Sequence, residues 1–245
     1  MRNIRLTLEY DGTSYCGWQR QKNGLSIQQV VEESINRITG ENVRVTGSGR
    51  TDSGVHAFCQ IANFHTRSSL KERSLLLGIN SLLPGDIVIR ELEEADPDFH
   101  ACFSAKSKVY LYQICNRPVR PVMERRYSWF LWKPLSVETM KDSADLFLGC
   151  HDFSSFCSTH SDSSDRVRTI LSLKLEKDSR QMIRIFIEAD GFLRYMVRTI
   201  VGVLADVGLG KCTKEEVVEM MKAKDRRSAR LTAPSHGLFL LQVKY

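Results

Sequence analysis

No run in the 245-residue chain approaches the roughly 18 unbroken apolar residues of a membrane span. The stretch SLLLGINSLLPGD is cut by Gly78, Asn80, Ser81 and Pro84. The opening residues alternate like a strand and reach Glu9 and Asp11 before any signal-peptide apolar segment could form, so a cytoplasmic protein with no membrane partner is expected. The seven cysteines are odd in number and follow no framework spacing, which suits reduced thiols better than secreted disulfides. A third glycine is also missing. Gly47-Ser48-Gly49 opens a GxG, but Asp52 stands where a dinucleotide fingerprint needs glycine, and no Gly-Lys-Ser/Thr completes a phosphate loop. Cys150, His151, Cys157 and His160 crowd together without CxxC or HExxH, and the adjacent first pair folds back poorly on one metal. No metal and no cofactor are expected.

What remains is ordinary globular material, 42% hydrophobic and 26% charged, long enough for one or two domains. The balance of 35 Lys and Arg against 29 Asp and Glu leaves +6, which leans toward a polyanionic partner without proving one. Periodicity predicts strands at 4–10, 43–45, 60–66 and 87–91, a helix capped by Ser26 and ended by Gly40, and a helix over 70–83. That order, β-α-β-β-α-β, is a split βαβ half of ferredoxin-like type. The rest predicts strands at 106–115, 127–132, 170–176, 182–188 and 237–245, with helices over 137–148, 192–207 and 215–224. The expected class is α+β, with halves at 1–104 and 105–245 and a site in the groove between them.

Three features carry candidate chemistry, each beside a plainer reading. Asp52 lies on a glycine-flanked loop between strands, where catalytic side chains are often carried, although turn aspartates are common there too. Arg198 is the lone charge between Tyr195 and Ala205 in a helix with a broad apolar face. It either answers a carboxylate or snorkels to water along its stem. Lys106, Lys108, Tyr110 and Tyr112 share one strand face, either as a base-stacking platform over phosphate contacts or as a cross-strand aromatic pair. Asp52-Ser53-Gly54 also matches the aspartic-protease signature, but it occurs once, and Arg50 favours the ionised carboxylate over a shared proton.

Together the segments resemble the tRNA pseudouridine synthase A family, isomerases that convert uridine to pseudouridine in tRNA anticodon arms. Six motifs in order carry the resemblance over nearly the whole chain. They are Tyr10-Asp11-Gly12-Thr13 with Gly17-Trp18-Gln19-Arg20-Gln21; Gly49-Arg50-Thr51-Asp52-Ser53-Gly54-Val55-His56-Ala57; and Lys108-Val109-Tyr110-Leu111-Tyr112. His151-Asp152-Phe153 with Phe156, Met196-Val197-Arg198 with Ile200-Val201-Gly202, and Gly237-Leu238-Phe239-Leu240 complete the set. The resemblance implies two ferredoxin-like halves forming an extended, mainly antiparallel sheet with a central catalytic cleft. It also implies a homodimer acting on tRNA positions 38, 39 and 40, without a cofactor.

By the same resemblance Asp52 and Arg198 are catalytic, Tyr110 contacts the target base, and Leu238 lies in a strand that walls the pocket. From position, Arg50 would fill the space a flipped uridine vacates. Phosphate contacts are expected from Arg20, Arg166, Arg168, Lys222, Lys224, Arg226 and Arg227, each of which also reads as a solvated charge. The block Phe99-His100-Ala101-Cys102-Phe103 is expected to touch RNA and departs from the family at Cys102, where an arginine is usual. A catalytically silent RNA-binding module is the rival from another class. Asp52 with Arg198 is what separates the two.

Overall fold

The computed structural model describes residues 1–159, 164–229 and 231–245, so His160 of the Cys/His cluster lies outside the described residues. The chain divides into two compact units, Met1–Lys106 with Phe239–Tyr245, and Ser107–Leu238. The terminal segment, expected with the second half, therefore belongs to the first. Its backbone explains why. Phe239 and Leu240 pair in parallel with His56 and Ala57, the Lys106 N–H donates to the Lys244 carbonyl at 2.8 Å, and the Tyr245 hydroxyl donates to the Ala101 carbonyl at 2.7 Å.

In the first unit the alternation of Ile4, Leu6 and Leu8, all fully buried, makes β1 (Arg2–Tyr10) a strand with one face in the core. Helix α1 (Ile27–Thr39) starts where the Ser26 side chain accepts the Gln29 N–H, and buries Ile27, Val31 and Ile35 at helical spacing. The short β2 (Thr46–Gly47), β3 (His56–Thr66), α2 (Glu72–Leu82) and β4 (Ile87–Ala95) follow. β1 pairs antiparallel with both β3 and β4, and β2 pairs antiparallel with β3, giving the order β4-β1-β3-β2 of a split βαβ unit.

Residues 43–45 form no strand, because side chains of α1 take the hydrogen bonds of Val43 and Val45. Asn36 Oδ1 accepts the Val43 N–H at 2.9 Å, Glu32 Oε1 accepts the Val45 N–H at 3.0 Å, and Gln28 Nε2 donates to the Val45 carbonyl at 2.9 Å. A backbone satisfied by side chains does not need a ladder.

The second unit holds β5 (Ser107–Cys115), β6 (Trp129–Phe130), α3 (Val137–Ala144), β7 (Gly149–Asp152), β8 (Val167–Lys177) and β9 (Met182–Ala189), then α4 (Met196–Gly208) and α5 (Lys214–Ala223). Its sheet runs β5-β9-β8-β7, antiparallel throughout, with β6 parallel to β5. Both units are thus α+β with mainly antiparallel sheets. Strand 127–132 shrinks to two residues, and helix 137–148 gives way at Asp145 to a 3-10 turn. The helix expected from 192 starts at Met196, since Tyr195 is left-handed at φ 67°.

Gly202 shows why α4 lies as it does. A Cβ there would overlap the Leu231 carbonyl oxygen and sit 3.4 Å from the Ala233 nitrogen, whose N–H donates to the Arg198 carbonyl at 2.9 Å. Backbone cannot yield as a flexible side chain does. Gly202→Ala is expected to cost about 2 kcal/mol in denaturant unfolding. Gly85→Ala, with open space around its Cβ, should stay within about 0.5 kcal/mol of the parent. Equal midpoints for the two variants would contradict this packing.

Candidate active site

Asp52 is half-buried on the loop that links β2 to β3, and its neighbours are fixed on both sides. Upstream, Ser48 is fully buried; its hydroxyl donates to Gln60 Oε1 at 2.6 Å, and Gln60 Nε2 donates to the Gly49 carbonyl at 2.9 Å. The Thr51 hydroxyl shares a 2.9 Å hydrogen bond with the Tyr10 hydroxyl, and the Thr51 carbonyl accepts the Trp18 N–H at 3.1 Å. Burial pushes the Tyr10 phenol well above its ordinary pKa against the opposing pull of Thr51 and Gln60, so Tyr10 stays neutral in this contact. Downstream, the Ser53 hydroxyl and Gly54 N–H both donate to the Tyr15 carbonyl, at 3.1 and 3.3 Å, and the Val55 N–H closes a turn onto the Asp52 carbonyl at 3.1 Å.

Residues 10–18 therefore act as a strap over the Asp52 loop. Gly17 lets the strap approach: its φ is +89°, and a Cβ would lie 3.0 Å from the Asp52 carbonyl carbon and closer still to the Thr51 oxygen. Trp18, 2% exposed, anchors it beside Gly47. Tyr15, held neutral first by burial and then by Asp86, donates its hydroxyl to Asp86 Oδ1 at 2.6 Å. A half-buried carboxylate on a loop with so little freedom is preorganised, which is what electrostatic or nucleophilic work asks of it. The strap was missed in the sequence. Residues 10–13 and 17–21 stand in one motif of the resemblance, but nothing local to them says which loop they cover.

In the second unit Tyr110 is 7% exposed and meets Phe192 edge-on at 5.0 Å between centroids. Tyr112 is fully buried and donates its hydroxyl to the Pro234 carbonyl at 2.8 Å. Of the two readings of this strand face, the exposed stacking platform does not hold: both rings are part of the packing, and of the two lysines beyond them only Lys106 is exposed. Arg198 is half-buried on α4. Its Nε donates to the Ala233 carbonyl at 2.8 Å, and its guanidinium lies 5.0 Å from the Tyr195 ring centre. Burial first, and the Arg198 charge after it, depress the pKa of His236 against the opposing hydrogen bond to the Ser128 carbonyl. Leu238 is buried.

The expected RNA contacts divide. Arg50 and Phe103 are exposed, Phe103 at 85%. His100 Nδ1 accepts the N–H groups of Cys102 and Phe103, both at 3.2 Å, and its ring stacks on Phe103 at 4.3 Å, so this histidine shapes the turn that presents Phe103. Cys102 is half-buried, and Phe99 packs on Tyr245 with the Arg5 guanidinium 5.6 Å from its ring centre.

Several expected phosphate ligands already have protein partners. Arg20 pairs with Glu32 at 3.2 Å, Arg166 donates to the Ser158 carbonyl at 3.0 Å, and Arg168 lies 3.6 Å from Asp165. Lys222 pairs with Glu219 and Arg227 with Asp225, while Arg226 bonds to the Ala229 carbonyl and Thr232. Lys224 meets Asp152 at 3.1 Å. Burial works to raise the Asp152 pKa, but Ser154 hydrogen bonds and Lys224 outweigh it and hold the carboxyl below its ordinary range. Phe153 and Phe156 of that block are fully buried edge-to-face neighbours. Among the described residues no three His, Cys, Asp or Glu side chains assemble into a metal-binding group.

Comparison with known proteins gives the family. Residues 7–104 and 144–245 match the family model described as tRNA pseudouridine synthase. Proteins called tRNA pseudouridine synthase A from a Thermoanaerobacter species and from Acetivibrio thermocellus are 45% and 43% identical over 245 residues, covering all of both chains. A Clostridium perfringens protein called tRNA pseudouridine synthase A 2 is 46% identical over the same full length. Among solved structures, an H/ACA RNP bound to a substrate RNA containing 2′-deoxyuridine aligns with 83% of this chain and 42% of its own, at 10% identity and a TM-score of 0.37, too loose to carry an argument. With the family model matching most of the chain and these relatives aligned over its full length, this chain belongs to the tRNA pseudouridine synthase family.

Proposed function

We propose that this protein isomerises uridine to pseudouridine in tRNA, within the anticodon stem-loop, and that Asp52 is the acting carboxylate. The observation that carries the assignment to Asp52 is its place, half-buried on a loop that the 10–18 strap fixes at Thr51, Ser53 and Gly54. A surface turn aspartate in a binding module has no need of such bracing.

The net reaction breaks the N1–C1′ bond of the nucleotide, forms a C5–C1′ bond, releases the C5 hydrogen to solvent as a proton and gains a proton at N1. Asp52 fits either of two parts: nucleophile on the ribose, or base and electrostatic partner in a glycal-type route. The family resemblance assigns Arg198 as the cation that keeps this carboxylate ionised and oriented, and an adjacent guanidinium has that effect on any carboxylate. A uridine within a stem must leave its stack to reach such a group, at about a few kcal/mol. Tyr110 is proposed to meet the flipped base, with Leu238 beside it in the pocket wall, and Arg50 to occupy the vacated space. Exposed Arg50 and Phe103 fit RNA contact, whereas the internally paired cations would contribute through their residual field.

The resemblance also supports a cytoplasmic homodimer. No described helix is long and apolar enough to cross a membrane.

Purified protein incubated with unmodified tRNA carrying tritium at uridine C5 should release tritium to water. Mapping of the product should place pseudouridine in the anticodon arm. Tight tRNA binding with no release across a wide tRNA panel would overturn the reading in favour of a silent binder.

A further inference from the structure

His56 ends the Asp52 loop and begins β3, with its side chain 2% exposed. Its Nδ1 lies 3.1 Å from the Gly12 nitrogen and 3.0 Å from Asp11 Oδ1. One ring nitrogen either accepts from the Gly12 N–H or donates to the carboxylate, and both ties close the same join between loop and strap. The strap side is itself rigid. Asp11 Oδ1 accepts the Thr13 N–H at 2.9 Å and the Thr13 hydroxyl at 2.5 Å, and the Asp11 N–H donates to the Asp86 carbonyl at 2.9 Å.

The ring is fixed in a second way, by stacking on Phe239 at 4.7 Å and 25° between planes, and Phe239 stacks on Phe58 at 5.1 Å. From this double anchor the chain runs one residue back to Val55, whose N–H closes the turn on the Asp52 carbonyl. Thr51 is held from the other side by Tyr10, the residue before Asp11. Strap residues 10 to 12 thus grip the Asp52 turn at both ends.

We infer that His56 is a positioning residue for Asp52, acting through its Nδ1 tie to the Asp11–Gly12 turn while its stack on Phe239 serves stability. The inference rests on the proposed role of Asp52. It separates two properties that a merely structural histidine would keep together. His56→Phe keeps an aromatic ring against Phe239 and loses the polar atom. His56→Asn places a polar atom near the Nδ1 position and loses the ring.

The test is single-turnover tritium release at saturating tRNA, with tRNA Kd and melting temperature measured for the same samples. His56→Phe is expected to slow release about thirtyfold with Kd within about threefold of the parent. His56→Asn should melt lower than His56→Phe yet react faster. Rates that follow the order of melting temperatures, or a His56→Phe rate within about threefold of the parent, would overturn the inference.

Should His56→Phe fail to fold, Asp11→Ala decides. Its side chain is 25% exposed and its loss should slow release about tenfold. The Asp11→Ala/His56→Asn double variant should then be no slower than the slower single variant, because both remove one tie. Fully additive losses would count against it. Absent release by the parent protein in the same assay sinks the proposed reaction itself, so the two failures are told apart.

Discussion

Asp52→Asn is expected to abolish tritium release from C5-labelled tRNA, by at least about four orders of magnitude in single turnover, while tRNA Kd stays within about threefold. Asparagine is nearly isosteric, and the loop is braced through Thr51, Ser53, Gly54 and the Asp52 carbonyl, none of which the substitution alters. The substitution therefore removes a charge and a nucleophile while leaving that bracing in place. An amide can neither add to C1′ nor take up a proton as a base, so both routes open to Asp52 fail together. The spared affinity matters as much as the lost rate, since binding draws on contacts spread over the surface. Release at even a tenth of the parent rate would remove Asp52 from the mechanism and leave the family assignment without its acting residue. Loss of release together with loss of binding would instead locate the effect in a disordered loop.

Much of this was legible in the sequence because local rules and global packing agree there. Ser26 caps α1 as its type predicts, Gly40 ends it, and the alternation of Ile4, Leu6 and Leu8 makes β1. Expectation failed where long-range partners replaced local ones. Residues 43–45 have strand composition, yet Glu32, Asn36 and Gln28 satisfy them from a helix. No strand is expected at β7, because Gly149–Asp152 has no strand composition and exists by pairing with β8. The terminal strand was placed by chain order, whereas its parallel pairing with His56 and Ala57 ties it to the first unit.

The site was legible in part for a related reason. Asp52 could be singled out because its loop carries glycine at 47, 49 and 54 within a few residues. The strap could not, since nothing local to Tyr10, Asp11, Tyr15 or Trp18 says which loop they cover. The face of β5 stayed open between two readings because period two assigns Tyr110 and Tyr112 to one side without saying whether that side meets solvent. Pro234, far along the chain, is what takes the Tyr112 hydroxyl inside.

Those two tyrosines supply the second large effect. Tyr110→Ala is expected to slow single-turnover release about a hundredfold, through loss of the ring proposed to meet the base. Tyr112→Phe leaves the ring in place but strips the hydroxyl from the Pro234 carbonyl, so it should cost about 1 kcal/mol of stability and leave the rate within about twofold. Both side chains are buried on one strand, two residues apart, which makes the pair a control for packing as such. If burial alone mattered, rate would track unfolding midpoint across the two variants. With Tyr110 at the base, the rate instead separates them beyond any difference in stability. Tyr110→Phe then divides the ring from the hydroxyl: a rate near that of the parent assigns the effect to stacking, and a rate near that of Tyr110→Ala assigns it to the phenol. A Tyr110→Ala protein that is folded, binds tRNA and turns over at the parent rate would remove Tyr110 from the site altogether.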